Sequence, residues 1–164
     1  MSFQLRDARA TDHPRILALN LESEEMLSPM DGARLLQLEA QSAYHRVAVD
    51  EAGEVAAFLL AFREGADYDS PNYRWFAARY PRFLYVDRVV VASTHQGRRL
   101  GPLLYRDLFD FARTQGVDTV TCEFYTVPPN EASRRFHAAF GFHEVGSQWV
   151  ADGRKQVSLQ VATA

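Results

Sequence analysis

Hydrophobic and polar positions follow two different rhythms along the chain, and the switches between them mark the predicted elements. Residues 3–8 alternate with a two-residue period and predict a strand. Thr11 or Asp12 then offers an N-cap ahead of Pro14, in the first turn of a helix that carries Ile16, Leu17 and Leu19 and ends near Leu21. After a short segment holding Met26-Leu27-Ser28-Pro29-Met30, Asp31 caps a second predicted helix with Leu35, Leu36 and Leu38 on its inner side. Two strand-like runs at 44–49 and 55–62, separated by Asp50-Glu51-Ala52-Gly53, predict a hairpin. The polar and aromatic connection over 63–82 is longer than the roughly 12–15 residues of an ordinary loop, so it is expected to serve function and to hold a short helix of its own.

From Phe83 the pattern reads strand (FLYVDRVVV), helix (PLLYRDLFDFARTQG), strand (TVTCEFY), a βαβ unit with parallel strands. Leu104, Leu108, Phe111 and Ala112 form the helix's apolar stripe, and Gly116 is placed for its C-cap. Pro128-Pro129 interrupts before Asn130, the N-cap of a further helix with Ala132, Phe136 and Phe140 facing inward and Gly141 at its end. The runs 142–150 and 155–161 predict a closing antiparallel hairpin around Asp152-Gly153. No repeat, low-complexity tract or linker breaks the chain, so residues 1–164 are expected to form one α/β domain.

Composition narrows the classes. A chain of 164 residues with 47% hydrophobic content can bury one sizeable core and is thin for two. A net charge of −3 without a basic tract argues against a nucleic-acid partner, whose binding would rest on neutralising phosphates. The start MSFQLRDARATD has no apolar signal core and no apolar run is long enough for a bilayer, so no membrane partner and a cytoplasmic address are expected. Cys122 is the single cysteine, which excludes an intramolecular disulfide and a cysteine zinc cluster. It alternates with Glu123 and is expected on the opposite, apolar face as a structural thiol rather than a nucleophile. His13, His45, His95 and His143 have no ligand spacing and are expected on the surface or in loops; no metal site is expected.

The candidate chemistry begins at VVVASTHQGRRLGPLL, where a β-branched run passes through a basic, glycine-punctuated loop into an amphipathic segment. Amides at a helix start point outward unpaired and carry partial positive charge, which suits an anion such as a diphosphate. Arg98 and Arg99 can add charge. The competing reading is a surface βα turn with two solvated arginines.

The order of elements, the loop QGRRLG after a valine-rich strand and the downstream spacing of Asn130, Phe136 and Gly141-Phe142 resemble the GNAT superfamily of acetyl-CoA-dependent N-acetyltransferases. The resemblance runs through nearly the whole chain and is most specific over 83–142. It implies a mixed α/β (α+β) fold: a mostly antiparallel sheet of about six to seven strands with a central parallel pair, flanked by about four helices. The family signature is glutamine or arginine, two residues, glycine, one residue, then glycine or alanine. Gln96 and Gly101 fill its ends, while Arg99 stands where the middle glycine belongs. Without glycine's freedom at positive φ, Arg99 is expected in an ordinary helical or turn conformation. The resemblance implies that acetyl-CoA is the cosubstrate. Its pantetheine arm would lie along the backbone of Val89, Val90 and Val91, and its diphosphate would sit around Gln96, Gly97, Arg98, Arg99, Leu100 and Gly101. Pro102 withholds one amide that relatives use there. Asn130 is implied to contact the coenzyme; as a residue before a helix it is equally a cap.

Acetyl transfer to an amine needs a neutral nucleophile, and an alkylammonium of pKa about 10 is mostly protonated at pH 7. Glu123 resembles in position a glutamate base of the ribosomal-protein alanine acetyltransferases. Asp87, in the preceding strand, is the rival, with pairing to Arg88 or another arginine as its structural alternative. His137 stands where relatives place a tyrosine that protonates the departing thiolate: either it is the general acid, or it lines the cleft and the thiol, of ordinary pKa about 8.5, leaves unaided. Backbone amides of Val89–Val91 are candidates for stabilising the oxyanion. Tyr68, Tyr73, Trp75, Phe76, Tyr80, Phe83 and Tyr85 suit either an acceptor wall or packing of the connection, and Met26–Met30 a facing lid. The partner is then an amine-bearing acceptor, with a symmetric homodimer as a further expectation. The alternative function is a coenzyme-A-binding sensor or interaction module that lost turnover.

Overall fold

The computed structural model describes residues 2–164. Seven strands, β1 (Gln4–Asp7), β2 (Tyr44–Val49), β3 (Val55–Arg63), β4 (Leu84–Val91), β5 (Thr119–Val127), β6 (His143–Val150) and β7 (Lys155–Thr163), form one sheet in the order β1-β2-β3-β4-β5-β7-β6. Five helices accompany them: α1 (His13–Glu22), α2 (Gly32–Gln41), α3 (Pro71–Ala77), α4 (Leu100–Thr114) and α5 (Glu131–Ala139). β1–β2, β2–β3, β5–β7 and β6–β7 pair antiparallel. β4 and β5 run parallel, with Leu84 opposite Val120 and Tyr85 opposite Thr121. The expected mixed sheet with its parallel pair is present, and α3, inside the long connection, brings the helices to five rather than four.

The chain divides into two compact units, residues 1–62 with 87–109 and residues 63–86 with 110–164. In the first, Ile16, Leu19, Leu35, Val47, Val49, Val55, Phe58, Val90 and Ala92 form a buried cluster against which Leu17, Leu27 and Met30 pack. Asp31 caps α2 as expected, its Oδ1 accepting the Arg34 N–H at 2.8 Å. Asp12 precedes α1 but uses its carboxylate differently, accepting both Arg6 guanidinium nitrogens at 2.7 and 3.0 Å and the Arg9 amide at 2.8 Å. Leu36 is 60% exposed, so the inner side of α2 is Leu35 and Leu38 alone. His45 is buried rather than superficial: its Nδ1 lies 3.0 Å from Glu39 Oε1, and His13 approaches the other oxygen of that carboxylate at 3.0 Å. Burial pushes the His45 imidazole pKa down, against the pull of Glu39.

In the second unit, five of the seven rings singled out between Tyr68 and Tyr85 are buried: Tyr68, Tyr73, Phe76, Phe83 and Tyr85. They pack on one another, Tyr73 with Tyr68, Phe83 and Tyr85 at centroid distances of 5.5–5.6 Å. These rings are core, and Trp75 and Tyr80 are half-buried. α3 lies over β6: Gln148 donates to Asn72 at 2.7 Å, and a Cβ at Gly146 would run into the Trp75 indole, so only glycine fits there. α5 departs most from expectation. Ala132 is exposed, Phe136 and Phe140 are half-buried, and the residue turned fully inward is His137. Along α4 the buried side chains are Leu100, Leu104, Tyr105, Leu108, Phe109 and Ala112, while Phe111 stays half-buried. Helical spacing constrains which residues share a face, yet Phe109 and Phe111 competed for it on composition alone.

Candidate functional site

β4 continues six residues past Tyr85, its last parallel-paired position, and this extension leads into the basic loop. Its side chains alternate: Arg88 and Val90 are buried on one face, while Val89 and Val91 are half-buried on the other, which they share with the covered carboxylate of Asp87. A short 3-10 turn over Ser93–His95 follows, moored by Ala92 N–H to Ala56 O at 2.8 Å and by the His95 ring 3.5 Å from Asp50. Gln96 then donates from Nε2 to the Val91 carbonyl at 2.9 Å, which closes the loop back onto the strand end. The signature's first residue therefore works as a clamp here.

Gly97 has φ +78 and Arg99 has φ +63. The ordinary conformation expected of Arg99 is thus overturned: it keeps the left-handed backbone that a glycine would hold, at a cost for an L-residue of roughly 1–2 kcal/mol. The reason is local. The Arg99 carbonyl accepts the first α4 bond, from Leu103 N–H at 3.1 Å, so the chain must turn sharply at Arg99 to enter the helix. The Leu100 and Gly101 amides belong to the first turn, where no intrahelical acceptor exists, and Pro102 brings none. Left-handed residues alternating with ordinary ones direct successive N–H groups to one side, the geometry of a backbone anion cradle. A Cβ at Gly97 would meet nothing within 4 Å, so the cradle is open on that side.

The carboxylates diverge. Asp87 Oδ2 receives Arg88 Nε at 2.6 Å, and both side chains are only 5% exposed. Glu123, half-buried on β5, receives the Tyr85 hydroxyl at 2.9 Å. Tyr85 was not singled out as a partner from sequence, although the register that sets it opposite Thr121 puts Glu123 two residues further on the same face. Cys122, 2% exposed, points away from Glu123, and burial followed by that neighbouring carboxylate holds its thiol well above the usual range.

Asn130 caps α5, its Oδ1 accepting from Ser133 N–H at 3.2 Å. His137 stacks on Phe124 at 5.7 Å, with Phe136 and Phe142 edge-on at 5.2 and 5.3 Å. Its Nδ1 lies 2.7 Å from the Ser133 carbonyl oxygen, which can only accept, so Nδ1 carries the hydrogen. Burial lowers the imidazole pKa, outweighing that hydrogen bond. Among the described residues no group of three His, Cys, Asp or Glu side chains is arranged to hold a metal ion, and no helix is long and apolar enough to cross a membrane.

Known proteins share this architecture. The Ard1 structure from Thermoplasma volcanium superposes with a TM-score of 0.80 over 100% of this chain and 99% of that one, at 15% identity. Naa20 of Chaetomium thermophilum in complex with a bisubstrate analogue gives 0.76 over 98% of this chain and 86% of that one, at 17% identity. These likenesses establish the fold. Over 59 residues the sequence is 42% identical to a phosphinothricin N-acetyltransferase of Streptomyces coelicolor, a match that spans 36% of this chain and only 33% of that enzyme's length. The model of the Acetyltransferase (GNAT) family matches residues 7–142, most of the chain, and the protein belongs to that family.

Proposed function

We propose that the protein is an N-acetyltransferase that moves an acetyl group from acetyl-CoA to a primary amine by direct attack. The observation that carries this reading is the loop 96–101: Gln96 clamped to Val91 O, and left-handed Gly97 and Arg99 directing amides outward at the start of α4. A diphosphate fits such a cradle because each amide donates to it, the helix dipole adds to the attraction, and Arg98 and Arg99 supply charge. Val89, Val90 and Val91 offer backbone groups to the pantetheine arm.

Acetyl-CoA supplies an activated thioester; the chain must supply a neutral amine and stabilise the charge that grows on the carbonyl oxygen. Glu123 is the base in this reading, taking a proton from the ammonium directly or through water, with Tyr85 holding one oxygen so that the carboxylate keeps a fixed orientation. Backbone amides of 89–91 are the electrostatic stabilisers. Asp87 serves better as the counter-ion of Arg88 than as a base, because its Oδ2 is already engaged by the guanidinium at 2.6 Å and its side chain is only 5% exposed. His137 has its one hydrogen committed to Ser133 O and a lowered pKa, so a neutral, cleft-lining role is supported over that of general acid. The thiol leaves with solvent protonation. No observation favours a non-catalytic module.

A panel of amines, including free amino acids, peptide N-termini and lysine side chains, assayed for released thiol, tests the reading. Turnover on at least one is expected, and calorimetry should show acetyl-CoA binding lost when Gly101 is replaced by a bulky residue. Tight coenzyme binding with no turnover on any amine would overturn the enzyme in favour of the module.

A further inference from the structure

A charge rarely sits on the core face of a strand without a task. Arg88 shares that face of β4 with Val90, a member of the apolar cluster, and is 6% exposed. Asp87 neutralises it from the same strand. Its remaining donors leave the strand: Nη1 reaches Asn20 Oδ1 at 2.9 Å and the Ser28 carbonyl at 3.2 Å. Asn20, 1% exposed near the end of α1, completes the triangle by donating Nδ2 to the same Ser28 carbonyl at 3.3 Å. One carbonyl in the middle of the α1–α2 connection is therefore held from two buried side chains.

Around this carbonyl the connection is held by short-range hydrogen bonds and apolar anchors. Its internal hydrogen bonds, Met26 N–H to Ser23 O at 3.0 Å and Leu27 N–H to Glu24 O at 3.4 Å, end at Leu27. Leu27 and Met30 anchor it to the core on either side of Ser28, and Met26 is turned outward, 44% exposed. Apolar anchors alone are non-directional and leave the backbone between them free to choose among conformations. A buried ion pair adds little stability over apolar packing; its best-attested use is to fix one arrangement.

We propose that Arg88 is a positioning residue that straps the connection 23–31 through Asn20 and the Ser28 carbonyl, and thereby sets which amine the protein accepts. The acceptor half of this inference rests on the acetyltransferase reading; the strap itself does not. Met26 is the side chain the strap presents, an adaptable apolar contact that suits an acceptor whose amine is attached to an apolar body.

Arg88→Lys keeps a cation beside Asp87 but loses the planar fork that reaches two further acceptors. Asn20→Ala cuts the strap while leaving the ion pair intact, and stands in if the lysine variant fails to fold. Both are compared with the full wild-type chain by amide hydrogen exchange and steady-state kinetics on amines of small and large apolar body. The expected result is exchange at least about tenfold faster across 23–31, unchanged exchange in β4, an amine KM raised about five- to tenfold with the small-to-large preference altered, and kcat and the acetyl-CoA KM within about twofold. Unchanged exchange in 23–31 overturns the strap whatever the turnover. Faster exchange with unaltered amine KM and preference overturns the acceptor half. A wild type that binds acetyl-CoA yet acetylates no amine overturns the acetyltransferase reading and the acceptor half with it, while the exchange data still decide the strap.

Discussion

The entry to α4 and the last turn of α5 each carry one residue that departs from the family pattern, and the two departures are absorbed in opposite ways. At Arg99 the side chain changed and the backbone did not: φ stays at +63, as a glycine would have it. At His137 the helix is kept, but the side chain is drawn inside, its hydrogen spent on Ser133 and its faces on Phe124, Phe136 and Phe142. A site that acts through amides tolerates a foreign side chain as long as the chain holds its path. A site that acts through a proton depends on that side chain's own chemistry, and exchange there changes or removes the role.

The largest expected effect is on the side-chain half of this contrast. Glu123→Gln should lower kcat by about 10²–10⁴-fold with coenzyme affinity nearly intact, since the lost interaction belongs to proton transfer. Asp87→Asn is the matched control. It should leave kcat within about threefold but lower the melting temperature clearly, because Arg88 would be left buried without its counter-charge. A kcat loss in Asp87→Asn equal to that in Glu123→Gln, in a folded protein, would reassign the base.

The backbone half predicts smaller and asymmetric effects. Gly97→Val places a β-branched residue at φ +78, where strain of about 1–3 kcal/mol should weaken acetyl-CoA binding by roughly 5- to 150-fold. Arg99→Gly does the reverse: it relieves a left-handed arginine and restores the family residue, so stability should hold or rise by up to about 1 kcal/mol, offset by glycine's extra freedom when unfolded. Affinity should then fall only by the lost charge, a few-fold, and the loss should shrink with added salt. A collapse of binding in Arg99→Gly would mean that the arginine side chain, not the loop's path, holds the coenzyme.

What could be read in advance follows the same division. The strands, the βαβ unit, Asp31 and Asn130 as caps and Gly116 as a helix end were legible because local periodicity and turn chemistry specify them. The loop 96–101 was legible as a glycine-punctuated entry into α4 because its glycines and helix start are local too. The handedness of Arg99 was not, since intrinsic preference argued against it and only the demand of entering α4 overrode that preference. Nor was the inner face of α5: a histidine flanked by phenylalanines loses any contest of hydrophobicity, yet it was His137 that the register of α5 turned onto Phe124. The Arg88 network needed residues about sixty positions apart in sequence, beyond any local pattern.

The smallest effect on turnover, and the sharpest test of the contrast, is His137→Phe. If the imidazole is a neutral wall, kcat in a single turnover should stay within about threefold, and the signature should appear in stability instead. Burial lowers the native pKa of His137 below its ordinary value near 6.5. As pH falls below about 6.5 the unfolded chain therefore takes up a proton that the native chain refuses. Stability is greatest above that pH and declines as pH falls toward the native pKa, below which the loss stops growing. His45 is lowered in the same sense, by burial, and contributes alongside. The carboxylates held low by their partners, such as Asp12, lose protons well below this window and do not confuse it. Wild type should thus lose melting temperature between pH 7.5 and 5.5, and His137→Phe should lose less, the remainder coming from His45. The variant also forfeits the Ser133 hydrogen bond, worth about 1 kcal/mol, which lowers its melting temperature at every pH; the slope is the informative quantity. Parallel slopes together with a tenfold drop in single-turnover rate would return His137 to the proton chemistry and erase the distinction between the two positions.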